Sequence, residues 1–452
     1  MTGIALIIAF VVAVVLMIVA ISKFKVHPFL SIMGVSLLLA LVAGIPMTQI
    51  ADVIGAGFSG TFSSIGIVII LGAFIGAVLE ATGAALKLAD MVIKLVGKKN
   101  PELAIELMGW VVSIPVFCDS GFVILDPIRR ALVRRTGTSS VAMTVALSAG
   151  LYISHVFIPP TPGPIAAANT LGIGDSLLLV MGLGLLCSIF PLLAGLVYAK
   201  FIGKRVKSAD ETGDSTEVVK TYEELVAEYG KLPSGLNSLA PLLVPVAMMA
   251  LGTIASMAGM TGFIADLFTF LGKPVIALAV GTILAIVQLA TAKKMDKFYN
   301  LTNDTLKTVG PILFVTAAGG VLGKVISSTS MISFITENAG FLTSMGIFFP
   351  FLLAAILKTA QGSSTVAITT TAGIMAPLME TLGLASPVMA ALTVMAIGAG
   401  AMTVSHANDS YFWVVTNFGK MTPQQGYKTQ SLLTLFMGVA SIIGIFLLSL
   451  IF

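Results

Sequence analysis

Apolar runs near the length that crosses a bilayer recur along the chain, separated by polar turns. They cover Ile4 to Ile21, Pro28 to Pro46, Ser176 to Phe201, Pro274 to Ala292 and Ser431 to Phe452. Roughly 20 apolar residues span a hydrocarbon core, so the pattern predicts an all-α polytopic membrane protein. The strand-length alternation of a transmembrane barrel is missing. Two of the apolar stretches are interrupted alike. "SHVFIPPTPGP", Ser154 to Pro164, and "SHANDSYFW", Ser405 to Trp413, each follow a Ser-His pair with residues that spoil a helix. Pro159, Pro160, Pro162 and Pro164 have no N–H to donate. Asn408, Asp409 and Ser410 compete for backbone bonds.

Composition reinforces the pattern. Of 452 residues, 57% are hydrophobic and only 10% charged, against about a quarter charged in a soluble domain. The net charge of +4 sits in loops and argues against a nucleic-acid partner. Cys118 and Cys187 lie in apolar segments and read as small hydrophobes. No metal-ligand spacing, nucleotide motif or hydrolase triad is present, so neither a cofactor, a metal nor an enzyme activity is expected. The first run lacks a basic n-region, and Lys23 and Lys25 follow it, which fits a retained span.

Basic residues mark the cytoplasmic side. Lys23 and Lys25 place the first turn inside; Lys87, Lys94, Lys98 and Lys99 follow span 3, expected at about Ile65 to Ala81. The next apolar stretch has Arg129, Arg130, Arg134 and Arg135 at its far end. A re-entrant hairpin with "CDSG" at its tip keeps both clusters inside. The stretch Lys204 to Ser238 is charged, contains the helical pattern "VVKTYEELVAEYG" and reads as a cytoplasmic linker. The halves on either side align weakly but in order: "GAVL" at 76–79 with "GGVL" at 319–322, "CDSGFV" at 118–123 with "QGSSTV" at 361–366, Ser154-His155 with Ser405-His406. Five spans plus one hairpin per half invert the second copy, and the flanks of its hairpin (Ser327 to Thr343, Ala376 to Val388) carry no Lys or Arg. The expected organisation is a first inverted repeat at 1–203 (hairpin about 102–135), a linker at 204–238, and a second inverted repeat at 239–452 (hairpin about 341–380). Such repeats, with broken helices meeting at the midplane, are the architecture of secondary transporters.

Each candidate site has a plainer alternative. Non-helical backbone at membrane depth must line a cavity or be buried in protein, which singles out Thr161 and Gly163 in the first break and Ser405, His406, Asn408 and Asp409 in the second. Both breaks could instead be edge loops. Asp119, with Ser120 and Gly121, is an ionisable tip residue deep in an apolar run, or a cap on the returning helix. Gln361, Gly362, Ser363, Ser364 and Thr365 offer hydroxyls and free N–H groups at a helix N-terminus, a ready anion site, or form a tight turn. Lys358 could meet an anion, snorkel, or offset a neighbouring carboxylate. Glu80 reads as interfacial. Asp119, Asp409, His155 and His406 are the proton-coupling candidates.

"KTAQGSSTVAITTTAGIMAP" and "IGAGAMTVSHANDSYFWVVTNFG" resemble the signatures of the gluconate permease (GntP) family of proton symporters, and the similarity extends over nearly the whole chain. The resemblance implies two inverted repeats, two hairpins, a substrate site between their tips, and a homodimer. It places the family's Gln-Gly-Ser-x-Thr tip on Gln361, Gly362, Ser363 and Thr365, and its Ser-His-x-Asn-Asp break on Ser405, His406, Asn408 and Asp409. The first tip departs from the family pattern: "VFCDSGFV" keeps the acid, Asp119, among small polar neighbours. The expected function is import of a small hydroxylated organic anion with a proton across a bacterial inner membrane. A sodium-coupled carboxylate transporter and a D-serine or short hydroxy-acid permease are the alternatives.

Overall fold

The computed structural model describes residues 3–451 except 97–99, 213–226, 228–229, 231, 259, 331–344 and 407–408. Its described residues form helices and no strand. Nine principal helices precede the linker: α1 Ile4–Ser22, α2 Pro28–Val42, α3 Met47–Ala81, α4 Ala84–Val96, α5 Pro101–Val112, α6 Cys118–Thr136, α7 Ser140–Phe157, α8 Pro162–Thr170 and α9 Leu177–Ile202. Nine more follow it: α10 Gly235–Met257, α11 Phe263–Gly272, α12 Pro274–Thr291, α13 Phe298–Ser327, α14 Phe348–Gln361, α15 Ser364–Met375, α16 Pro387–Met402, α17 Ser410–Phe418 and α18 Leu432–Ser449. Among the described residues, seven helical stretches are long and apolar enough to cross a membrane, or eight if a bent pair counts as one.

Local chemistry sets the boundaries. α6 stops at Gly137, whose φ of 68° suits glycine, and Ser139 then caps α7 by accepting the Ala142 N–H at 3.3 Å. α14 ends at Gly362 with φ 90°, and Ser363 caps α15 by accepting the Val366 N–H. α16 starts at a Ser386 cap followed by Pro387 and ends where Val404 takes φ 58°.

Helix α3 is twice as long as the expected span. It begins at Met47: the Gly- and Ser-rich stretch 55–66 dilutes its hydropathy without ending the helix, and within it Gly57 is buried against α13. A Cβ on Gly57 would stand 2.7 Å from Val321 Cα and 2.9 Å from Gly320 O of α13; small residues let two backbones approach this closely. The helix then bends by 78° into the unexpected amphipathic α4. The other end of α3 (Gly76, Glu80) shares a cavity with the start of α13 (Leu301, Asp304), so the two helices run antiparallel. α9 and α18 do likewise: Phe190 meets Gly444, and the Tyr198 hydroxyl donates to Lys428 O at 2.5 Å. The C-terminal ends of α7 and α16 approach one another, Gly398 against Val156 O and the Phe157 ring.

The helical pattern "VVKTYEELVAEYG" lies almost wholly outside the described residues, as does most of Ser327 to Thr343. The start of the linker is docked on the second half: Ala209 N–H donates to Lys420 O at 3.0 Å, and Gln425 Nε2 donates to Lys207 O at 2.7 Å. Arg129, read above as a topological charge, is fully buried. Its Nε and that of Arg130 hold Asp126 at 2.6 and 2.7 Å, and both guanidinium groups donate to Phe418 O, at 3.3 and 3.2 Å. The cluster ties α6 to the end of α17.

Candidate functional site

Two helix starts and one helix break converge on a cavity of about 520 Å³. α5 and α6 are joined by a turn at 113–117, closed by the Ser113 hydroxyl donating to Val116 O at 2.9 Å. This puts Asp119 in the first turn of α6, where unpaired N–H groups favour negative charge. Gly362 to Thr365 form the turn and first residues of α15. Asp409 caps α17, its Oδ1 accepting the Tyr411 N–H at 3.0 Å. Asp119, Ser120, Gly362, Ser363, Ser364, Thr365 and Asp409 all line the cavity, with Tyr152 and His155 of α7 and Thr308 of α13.

The two carboxylates have different surroundings. Asp409 Oδ2 accepts from Lys358 Nζ at 2.6 Å and from the Ser405 hydroxyl at 2.5 Å. Lys358 is fully buried and donates also to Gly362 O. It therefore binds the second tip to the second break, and Asp409 is a charge-compensated group. Asp119 has weaker company: Ser410 Oγ at 3.4 Å and Cys118 Sγ at 3.7 Å. Among the described residues no cation pairs with it.

The cavity wall is aromatic and hydroxylated. Tyr152 Oη and Ser364 Oγ are 2.5 Å apart, the Tyr411 hydroxyl donates to Ser148 O at 3.2 Å, and the two tyrosine rings lie 5.0 Å apart. The His155 ring sits between Phe117 and Tyr152, at 6.1 and 6.4 Å, and its Nδ1 is buried with no partner among the described residues.

Other candidates fall outside this lining. A Cβ on Gly121 would stand 2.6 Å from Leu151 Cδ2, so this glycine packs α6 on α7. The Thr161 hydroxyl donates to Ile158 O at 2.6 Å, and Gly163 abuts Ile368 of α15; the first break supports the second hairpin from behind. Ser405 N–H donates to Thr434 Oγ1 at 2.8 Å, and His406 Nε2 lies 2.9 Å from Thr359 O, so both hold the broken backbone. Asn408 and the Gln361 side chain lie outside the described residues. Tyr152, Tyr411 and Thr308 join the site without a sequence signal, since single tyrosines and threonines along a helix are ordinary; Ser410 joins it as a member of the second break. Among the described residues no cluster of His, Cys, Asp or Glu could hold a metal ion.

Known proteins resemble the chain along its whole length. The GntP family permease profile matches residues 5–451. A low-affinity gluconate transporter of Escherichia coli is 31% identical over 455 residues, covering 98% of each chain. The inner membrane permease YgbN of the same organism is 31% identical over 432 residues, covering 94% of each. The YdaH transporter of Alcanivorax borkumensis, whose crystal structure has an unusual topology, shares the fold with a TM-score of 0.64 at 15% identity, over 94% of this chain and 97% of that one. The relatives are permeases and transporters rather than enzymes, and the apolar helices agree with a multi-pass protein of the bacterial inner membrane. From residue 5 to residue 451, this chain belongs to the GntP family of permeases.

Proposed function

We propose that the protein is a secondary active importer of a small hydroxylated organic anion of the gluconate kind, driven by proton symport. One observation carries the reading: both hairpin tips and the second break face a single cavity that holds one paired and one unpaired carboxylate. The hydroxyls of Ser363, Ser364, Thr365 and Tyr152 match a polyhydroxylated ligand. The N-termini of α6 and α15 supply N–H groups for its carboxylate. Asp119 is the coupling group, because Asp409 is committed to Lys358 and a proton carrier must be free to change its charge. The gluconate named for the Escherichia coli relative is the first substrate to try.

The transport cycle follows from the same elements. Residues 1–203 and 239–452 form two inverted repeats about the linker 204–238, a reading supported by the antiparallel pairs α3/α13 and α9/α18. The hairpins move against the remaining helices in alternating access, within a homodimer. In the described state the site cavity shares Phe117, Ser120 and Thr308 with a second cavity beside Glu80 and Asp304, at the end of α13 that follows Lys293, Lys294 and Lys297. By the positive-inside rule that end is cytoplasmic, so the state is inward-facing.

Uptake of labelled gluconate into vesicles tests the reading. Accumulation on an inward proton gradient without sodium supports it. Accumulation that needs sodium favours a sodium-coupled carboxylate transporter. Accumulation of D-serine or short hydroxy acids but not gluconate moves the substrate class.

A further inference from the structure

Helix α13 passes three cavities in turn. Its start lines one of about 270 Å³ with Leu301, Asp304, Thr305 and Thr308. Its middle lines the 520 Å³ site cavity with Thr308, Pro311, Ile312 and Val315. Its end lines a third, of about 320 Å³, with Gly320, Gly323, Lys324 and Ser327. The first two adjoin one another at Phe117, Ser120 and Thr308, whereas the third shares no lining residue with the site cavity. Between them α13 lies on α15 almost backbone to backbone. A Cβ on Gly319 would stand 3.1 Å from Thr369 O, one on Gly323 would stand 2.5 Å from Gly373 O, and one on Gly373 would overlap Gly319 O. Along this glycine seam the two backbones leave no room for a side chain.

The charges at the two ends of this line are opposite. The first cavity carries Glu80 and Asp304. The described lining of the third carries no carboxylate and one cation, Lys324. Lys324 is exposed, and its ammonium has no acceptor among the described residues. In the part of the same lining that α8 contributes, Thr170 Oγ1 is buried without a hydrogen-bond partner among the described residues, although buried hydroxyls are nearly always satisfied. An unpaired cation on α13 and an unsatisfied hydroxyl on α8, both in the lining of one cavity, are complementary to a carboxylate with a further hydroxyl.

We propose that this third cavity is an external entry subsite for the transported anion, where Lys324 receives the carboxylate and Thr170 a ligand oxygen before the seam opens. The inference rests on the importer reading and adds a second binding station to it. A cationic vestibule raises the local concentration of an anion and its rate of encounter. The acidic cavity at the other end would not retain the anion once it leaves the site.

The test is the concentration dependence of labelled gluconate uptake into right-side-out vesicles, with efflux measured in the same preparation. Lys324→Gln should raise the KM for uptake by about threefold to tenfold, the scale of one partly solvated charge contact. Its maximal rate and the KM for efflux should not change, because Lys324 lies beyond the seam. Lys324→Arg should stay near wild type, and Thr170→Val should shift KM in the same direction as Lys324→Gln. Raising ionic strength should raise the wild-type KM and leave that of Lys324→Gln unchanged. Lys324→Cys treated from outside with an ammonium-bearing thiol reagent should regain the low KM, while a sulfonate-bearing reagent should not. An uptake KM unaltered in both Lys324→Gln and Lys324→Cys, beside active wild-type protein, overturns the subsite alone. So does an equal loss of maximal rate in the Gln and Arg variants, which assigns Lys324 to structure. Wild-type protein that moves no gluconate sinks the importer reading and this subsite together.

Discussion

Lys358 Nζ lies 2.6 Å from Asp409 Oδ2, and the two residues come from different parts of the site, one from the arm of a hairpin and one from a broken helix. Both are buried. Removing one partner of such a pair strands a charge in apolar surroundings, at about 3–5 kcal/mol, whereas removing both can be nearly neutral. Lys358→Met and Asp409→Asn should each lower the Tm of the purified protein strongly. The double variant should recover much of that loss, because the two effects are coupled rather than additive. Transport should stay impaired in the double variant, since Gly362 O loses its donor as well. Single-variant losses that simply sum would show that the contact contributes little.

Coupling separates the two acids. Asp119→Asn replaces an unpaired carboxyl with an amide that cannot exchange a proton. It should abolish accumulation on a pH gradient yet keep exchange of labelled for unlabelled substrate, which needs no net proton movement. The measurement is uptake against exchange in reconstituted vesicles. A variant that still concentrates substrate excludes Asp119, and His155, which shares the cavity, becomes the next carrier to examine.

Much of this arrangement was legible in the sequence. Asp119 and Asp409 stood out because a charge in an apolar run must be explained, and Gly362-Ser363 because a glycine followed by a cap announces a helix start. That Lys358 could offset a carboxylate was legible, but not which one, because its acceptor lies 51 residues away and no local pattern encodes that distance. The first break was ambiguous for a different reason. Its prolines do end α7, but hydropathy cannot tell a break that lines a cavity from one that packs against a neighbour, and Gly163 does the latter against Ile368. The length of α3 was hidden because the glycines and serines of 55–66 lower its hydropathy, although the helix runs through them and Gly57 packs directly on α13.

The hydroxyls at the second tip can be divided by what else they do. Ser363 accepts the Val366 N–H, so Ser363→Ala also removes a cap and costs about 1 kcal/mol of stability. No such bond to the helix start involves Thr365, so Thr365→Val isolates the ligand contact. A hydrogen bond to a charged group contributes about 1.5–3 kcal/mol, and the double variant Ser363→Ala/Thr365→Ala should weaken apparent affinity at least about tenfold. Thr365→Val alone should account for part of this with Tm unchanged. Wild-type affinity in both would make the tip a structural turn.

Inversion of the two halves makes the last prediction, and the ends of the two hairpins are the places to test it. α6 ends at Thr136, beside the Arg129–Asp126–Arg130 cluster and Arg134. The second hairpin is followed by Ala385, in a stretch (Ala376 to Val388) with no basic residue. The positive-inside rule places the first end in the cytoplasm and leaves the second outside. Thr136 and Ala385 are both exposed, and the native Cys118 and Cys187 are buried, so background labelling should be low. A membrane-impermeant thiol reagent added to intact cells should label Ala385→Cys and not Thr136→Cys. In inside-out vesicles the pattern should reverse. Labelling of both from one side would mean that the hairpins enter from the same face. The antiparallel course of α3 and α13 would then reflect adjacent packing alone, and alternating access between two inverted halves would have to be abandoned.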